Sequence, residues 1–122
     1  MNFQFIGIDH IQLAAPNGCE TEAREFWGNK MGLHEIPKPE SLQGRGGCWF
    51  KIGNQQLHIG VEEDFQPAKK AHPAFIIRHL ETFKAHLEEQ GVKTKDDAPI
   101  DGRSRFFVSD PFGNRVEFLE YK

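Results

Sequence analysis

The chain has 122 residues, enough for one compact unit with a core of its own and no covalent staples. Its composition, 38% hydrophobic and 27% charged, is that of an ordinary globular domain, and a net charge of −3 excludes the strongly basic surface that nucleic acid demands. No apolar run reaches the roughly 18 residues of a membrane span, the N-terminus lacks the charged start and apolar block of a signal peptide, and Cys19 and Cys48 make no disulfide framework, so the cytoplasm is the expected compartment.

Residues 6–15 alternate as a strand, with Ile11 and Leu13 on one face and Ile8, His10 and Gln12 on the other. Pro16-Asn17-Gly18 ends it. Over 20–31 the residues Ala23, Phe26, Trp27 and Met31 recur at helical spacing, and Gly32 suits the C-terminal cap. A loop rich in Pro and Gly, 37–47, leads to a strand at 48–52, a turn at Gly53-Asn54 and a strand at 56–62 that places Gln56 and His58 opposite Leu57 and Ile59. Residues 63–71 read as a linker. The order then repeats: a strand at 72–78 with His72 facing away from Phe75 and Ile77, a helix marked by Leu80, Phe83 and Leu87 and closed at Gly91, and a polar loop over 93–103. Asp110-Pro111-Phe112-Gly113 fits a type I turn between strands 106–108 and 116–119, and the outgoing strand sets Arg115, Glu117 and Leu119 against Val116 and Phe118.

The two halves therefore read strand–helix–strand–strand twice, with room for one further short strand in each loop. The expected fold is α+β, a single domain over 1–122 made of two βαββ(β) modules, about 1–64 and 70–122, that form an open curved mixed sheet with helices outside. Each module opens on a strand carrying a histidine and closes on a strand carrying His58 or Glu117. A lone histidine on a sheet face is ordinarily a solvated side chain, and a carboxylate inside an apolar strand is expensive to bury without a partner. Four such residues at matched places, His10, His58, His72 and Glu117, instead make a ligand set for a divalent transition metal such as Zn, Ni, Mn or Fe. Trp49, Gln12 and the loop arginines Arg45 and Arg105 are candidate cavity residues, because guanidinium groups suit carboxylate or phosphonate recognition. Cys48, with no activating neighbour, reads as a buried structural thiol, and His34, His79 and His86 as solvent-facing.

The sequence resembles the vicinal oxygen chelate superfamily, which includes glyoxalase I, fosfomycin-resistance thiol transferases, bleomycin-binding proteins and extradiol dioxygenases. Ile8-Asp9-His10-Ile11, His72-Pro73-Ala74-Phe75 and Asp110-Pro111-Phe112-Gly113-Asn114-Arg115-Val116-Glu117 carry the likeness, which runs over about residues 5–121. It implies metal ligands at His10, His72 and Glu117, with His58 as a fourth at a position where glyoxalase I enzymes usually have glutamate. Fosfomycin transferases tend to have a small hydroxyl residue where Gln12 stands, and a basic C-terminal extension that this chain lacks. The expected protein is a metal-dependent lyase, isomerase or dioxygenase for a small substrate with vicinal oxygens. Glu117 or His58 would move the proton, and Arg105, Gln12 and Trp49 would touch the substrate. The alternatives are a non-catalytic binding protein of the bleomycin-resistance type or a fosfomycin-type thiol transferase. Open sheet edges and the resemblance both imply a homodimer, with no nucleic-acid or membrane partner.

Overall fold

Alternating apolar residues along the chain build two separate sheets, each covered by one helix. The computed structural model describes residues 2–122, an α+β fold in which neither sheet closes into a barrel. In the first half, β1 (His10–Ala15) leads to a helix that begins as α1 (Glu20–Ala23) and continues as a π-helix (Arg24–Lys30). β2 (His34–Ile36), a 3₁₀ helix (Glu40–Arg45), β3 (Cys48–Ile52) and β4 (Gln55–Val61) follow. The second half runs β5 (Ala74–Ile76), α2 (Leu80–Glu89), β6 (Arg103–Ser109) and β7 (Arg115–Tyr121). The sheet orders are β1-β4-β3-β2 and β5-β7-β6, and the first strand of each half pairs in parallel with the last strand of the same half. Among the described residues no helix is long and apolar enough to cross a membrane.

Both expected opening strands are shorter than their alternation suggests. Pairing of β1 with β4 stops at His10↔Gln56, because β4 itself starts at Gln55 after the Gly53-Asn54 turn. Residues 2–9 are therefore exposed, Phe3, Phe5, Ile6 and Ile8 among them. In the second half Pro73 has no N–H to give to a ladder, and the strand is reduced to Ala74–Ile76, with His72 just before it. The first loop contains the extra strand, β2, whereas the second contributes only the single bridge Lys95↔Phe107.

The first helix departs from its expected 3.6-residue period. Met31 N–H donates to the Phe26 carbonyl at 2.9 Å, an i→i+5 bond. The widened turn brings consecutive side chains closer to one direction. Phe26 and Trp27, neighbours in sequence, are thereby both buried, with their rings edge to face at 5.0 Å. Trp27 in turn meets Phe75 of β5 at 6.2 Å, so one core runs through both halves, from Leu13, Phe50, Leu57 and Ile59 to Phe106 and Phe118.

A turn forms at 110–113 as expected, with Gly113 N–H donating to the Asp110 carbonyl at 3.1 Å. It is also a buried lock. Asp110 Oδ1 accepts from the backbone N–H of Phe112 and of Asn114, and Oδ2 accepts from the Asn114 side chain. Asn114 Nδ2 also donates to the Ala14 carbonyl of β1 at 2.8 Å, while its Oδ1 accepts from Ala68 N–H in the linker at 3.0 Å. One amide thus joins the hairpin, the linker and the first sheet, and all of its bonds are made in a site sealed from water.

Candidate functional site

On the sheet face away from the helices, cross-strand register sets the first group of site residues. Gln12 of β1, His58 of β4 and Trp49 of β3 stand opposite one another, and His10 is paired with Gln56, two residues before His58. His58 is buried and its ring lies between two others. Trp49 stacks on it at 3.6 Å and 3°, and His10 at 4.1 Å and 17°. Burial, and then the charge of neighbouring His10, hold the His58 pKa below its ordinary value, so the ring is neutral at pH 7. Its Nε2 donates to Gln56 Oε1 at 2.9 Å, which leaves the lone pair on Nδ1. Gln56 was not singled out from the sequence, although its i, i+2 spacing with His58 on one strand face is the signal that finds it. His10 Nδ1 is held by Asp9 Oδ2 at 2.9 Å.

Beside this stack, Gln12, Trp49, Arg45 and Lys38 border a cavity of about 210 Å³. The Gln12 side chain lies flat on Gly60, where a β-carbon would come within 2.7 Å of it. Gly47 closes the loop that carries Arg45. Its φ is +81°, and an added β-carbon would lie 2.0 Å from the Ile59 carbonyl oxygen, so no other residue fits. The Gly47 N–H donates to Glu20 Oε2 at 2.6 Å, which ties this loop to the first helix and lowers the Glu20 pKa.

The second group stands on β6 and β7. Glu117, buried on its strand, presents Oε1 to His72 Nε2 at 3.0 Å and Oε2 to Arg105 Nη1 at 3.5 Å. The question raised by a carboxylate in an apolar strand is thus answered by two basic side chains. His72 Nδ1 donates to the Lys70 carbonyl at 2.9 Å, because a carbonyl can only accept. In neutral His72 the Nε2 facing Glu117 is then a bare lone pair, and two acceptors at 3.0 Å repel unless a proton or a metal cation lies between them. The spacing suits two neighbouring donors of an octahedral ion, which at about 2.1 Å each are about 3.0 Å apart, whereas tetrahedral donors would stand about 3.4 Å apart. The Nδ1 bond to a carbonyl is also the outer contact that fixes a metal-binding histidine. Phe107 walls the group, its ring edge to face with His72 at 5.2 Å. Arg105, besides facing Glu117, donates to the Ala98 carbonyl at 2.7 Å.

The four expected ligands therefore come together as two pairs, His10 with His58 and His72 with Glu117. Among the described residues no three His, Cys, Asp or Glu side chains gather as a metal site would require. The cysteines stay outside this chemistry. Both are buried, and burial pushes their thiols up to about 11. Of the unmatched histidines, His34, His79 and His86 are all exposed as expected, and His86 Nε2 bonds to the Lys30 carbonyl at 2.8 Å, linking the two helices.

Residues 7–118 match the family model of the Glyoxalase/Bleomycin resistance protein/Dioxygenase superfamily. A glyoxalase family protein from Bacillus anthracis is 57% identical, with a TM-score of 0.98 over 100% of both chains. At lower identity the likeness is one of fold. The lactoylglutathione lyase of Agrobacterium tumefaciens is 21% identical, with a TM-score of 0.73 over 93% of this chain and 92% of that one. The genomically encoded fosfomycin resistance protein of Listeria monocytogenes is 20% identical, with a TM-score of 0.70 over 98% and 94%. Among curated proteins, none matches the sequence.

Proposed function

Because the chain belongs to the Glyoxalase/Bleomycin resistance protein/Dioxygenase superfamily, we propose that it is a divalent-metal-dependent enzyme of lyase, isomerase or dioxygenase type acting on a small molecule with two neighbouring oxygens. The observation that carries this reading is His72 Nε2 facing Glu117 Oε1 at 3.0 Å while its Nδ1 is committed to the Lys70 carbonyl. His72 and Glu117 would hold the ion, and His10 of a second copy would complete the set, since among the described residues no three donors gather within one chain. Zn, Ni, Mn or Fe suits imidazole and carboxylate donors. Bound there, the dication would supply Lewis-acid polarisation of the substrate oxygens. Glu117, inside a low-dielectric strand, holds or accepts a proton next to the reacting carbon. The free Nδ1 of neutral His58 is a second proton acceptor. Arg105 fixes the Glu117 carboxylate and offers its guanidinium to an anionic substrate group, and Gln12 and Trp49 border the substrate cavity.

A second reading, a non-catalytic small-molecule binding protein, is favoured by one contact: Arg105 already balances the charge of Glu117. The two readings part on metal content. Protein made without an affinity tag is equilibrated with Zn, Ni, Mn or Fe(II), dialysed and analysed for metal. The enzyme reading expects about one ion per chain, lost in Glu117→Gln while the circular dichroism spectrum is unchanged. Failure to retain any of the four ions would leave the binding-protein reading.

A further inference from the structure

A cavity of about 570 Å³, the volume of a small-molecule site, lies between the end of the first helix, the loop after α2 and the edge formed by β6 and the 110–113 turn. It touches the candidate site only through Phe107, and none of His10, His58, His72 or Glu117 lines it. Its charge is one-sided. Lys30, Lys69, Lys93, Lys95 and Arg115 line it, and no carboxylate does, on a chain whose net charge is −3. Arg115 is paired with Asp97 at 2.9 Å and stacks on Phe107 at 3.9 Å. The other four cations form no ion pair among the described residues. Like charges brought together without partners repel, and a concave low-dielectric wall concentrates their field. Ser109 adds a hydroxyl group to the lining, the Thr94 hydroxyl is engaged with Glu88 Oε2 at 2.9 Å, and Phe26, Val92 and Val108 give the cavity an apolar floor.

From this we infer a second ligand site, for a phosphate-bearing small molecule of at least two negative charges. The ammonium groups would meet the phosphate oxygens as point charges, the Ser109 hydroxyl would donate a hydrogen bond, and the apolar floor would take the organic part. The cations come from four separate segments: the first helix, the linker, the loop after α2 and β7. A ligand bound here therefore bridges the two halves of the chain. The inference does not depend on a metal at Glu117.

Calorimetric titration of the full chain with pyrophosphate at physiological salt tests it, with citrate as an anion of similar charge and different chemistry. One pyrophosphate per chain is expected to bind saturably. Lys93→Gln with Lys95→Gln, both exposed and in a loop, should weaken it at least tenfold, whereas the distant pair Lys51→Gln with Lys122→Gln should leave it unchanged. Absence of saturation, or equal weakening by the two pairs, overturns the site. Citrate binding as tightly as pyrophosphate overturns the assignment to phosphate.

Discussion

Glu117 and Asn114 sit three residues apart, both buried, and substitution at each should have opposite consequences. The Asn114 side chain satisfies Ala14 C=O, Ala68 N–H and Asp110 at once. Asn114→Ala leaves those groups unpaired in a dry site, and we expect a loss of about 3 kcal/mol, read as a lower denaturation midpoint with an unchanged slope. Glu117→Gln is the contrasting case. The amide oxygen can still accept from Arg105, and the amide N–H can donate to Nε2 of a neutral His72. Its stability should stay within about 1 kcal/mol of the parent, so that any loss of metal or activity reports on the site and not on the fold. The cysteines test burial directly. With thiols at about 11, neither should react with a disulfide reagent at pH 8 in the native protein, and both should react once it is unfolded.

At the scale of the elements, alternation and turn chemistry made the strands and the closing hairpin legible, because each depends on nearby residues. What escaped was decided by a partner. The lengths of β1 and β5 are set by where β4 begins and by Pro73, and the π-turn is set by the need to bury Phe26 and Trp27 against a sheet built later in the chain. The start of α2 is a third case. His79, at φ +65°, makes no side-chain cap, and the carboxylate of Glu120, on β7, accepts from the N–H of His79 and of Leu80, each at 2.9 Å. These two bonds hold the Glu120 pKa below its ordinary 4.5. A depressed carboxylate pKa stabilises the folded state above the unfolded value and loses that contribution as pH falls through the folded one. Glu120→Gln should therefore lower the melting temperature at pH 7, and the difference from the parent should shrink at pH 3.

For the whole molecule, the sequence marked the right strand faces but not how they meet. His10, His58 and Glu117 lie on strands and His72 lies just before one, yet alternation says only which face a side chain leaves from. It does not say whether the faces of two modules converge within a chain, and here they yield two pairs. If the proposed ligands converge, the remaining surface favours a place between two copies. β1 and β5 are both unpaired sheet edges, and they border a common apolar cleft of about 370 Å³. Ile8 and Ile76, exposed by 61% and 69%, line it, and Phe3, Phe5 and Ile6 in the segment before Ile8 are exposed by 68%, 96% and 92%. So much exposed apolar surface on a chain with open sheet edges is unusual for a monomer. A second copy related by a two-fold axis would cover it and bring His10 of one chain toward His72 and Glu117 of the other. Sedimentation at micromolar concentration should give twice the 14.0 kDa chain mass. Phe5→Asp with Ile8→Asp, in a segment that makes no strand, should give a folded monomer that no longer retains metal. A parent protein that sediments as a monomer excludes the shared site, and a monomeric variant that keeps its metal places all the donors within one chain.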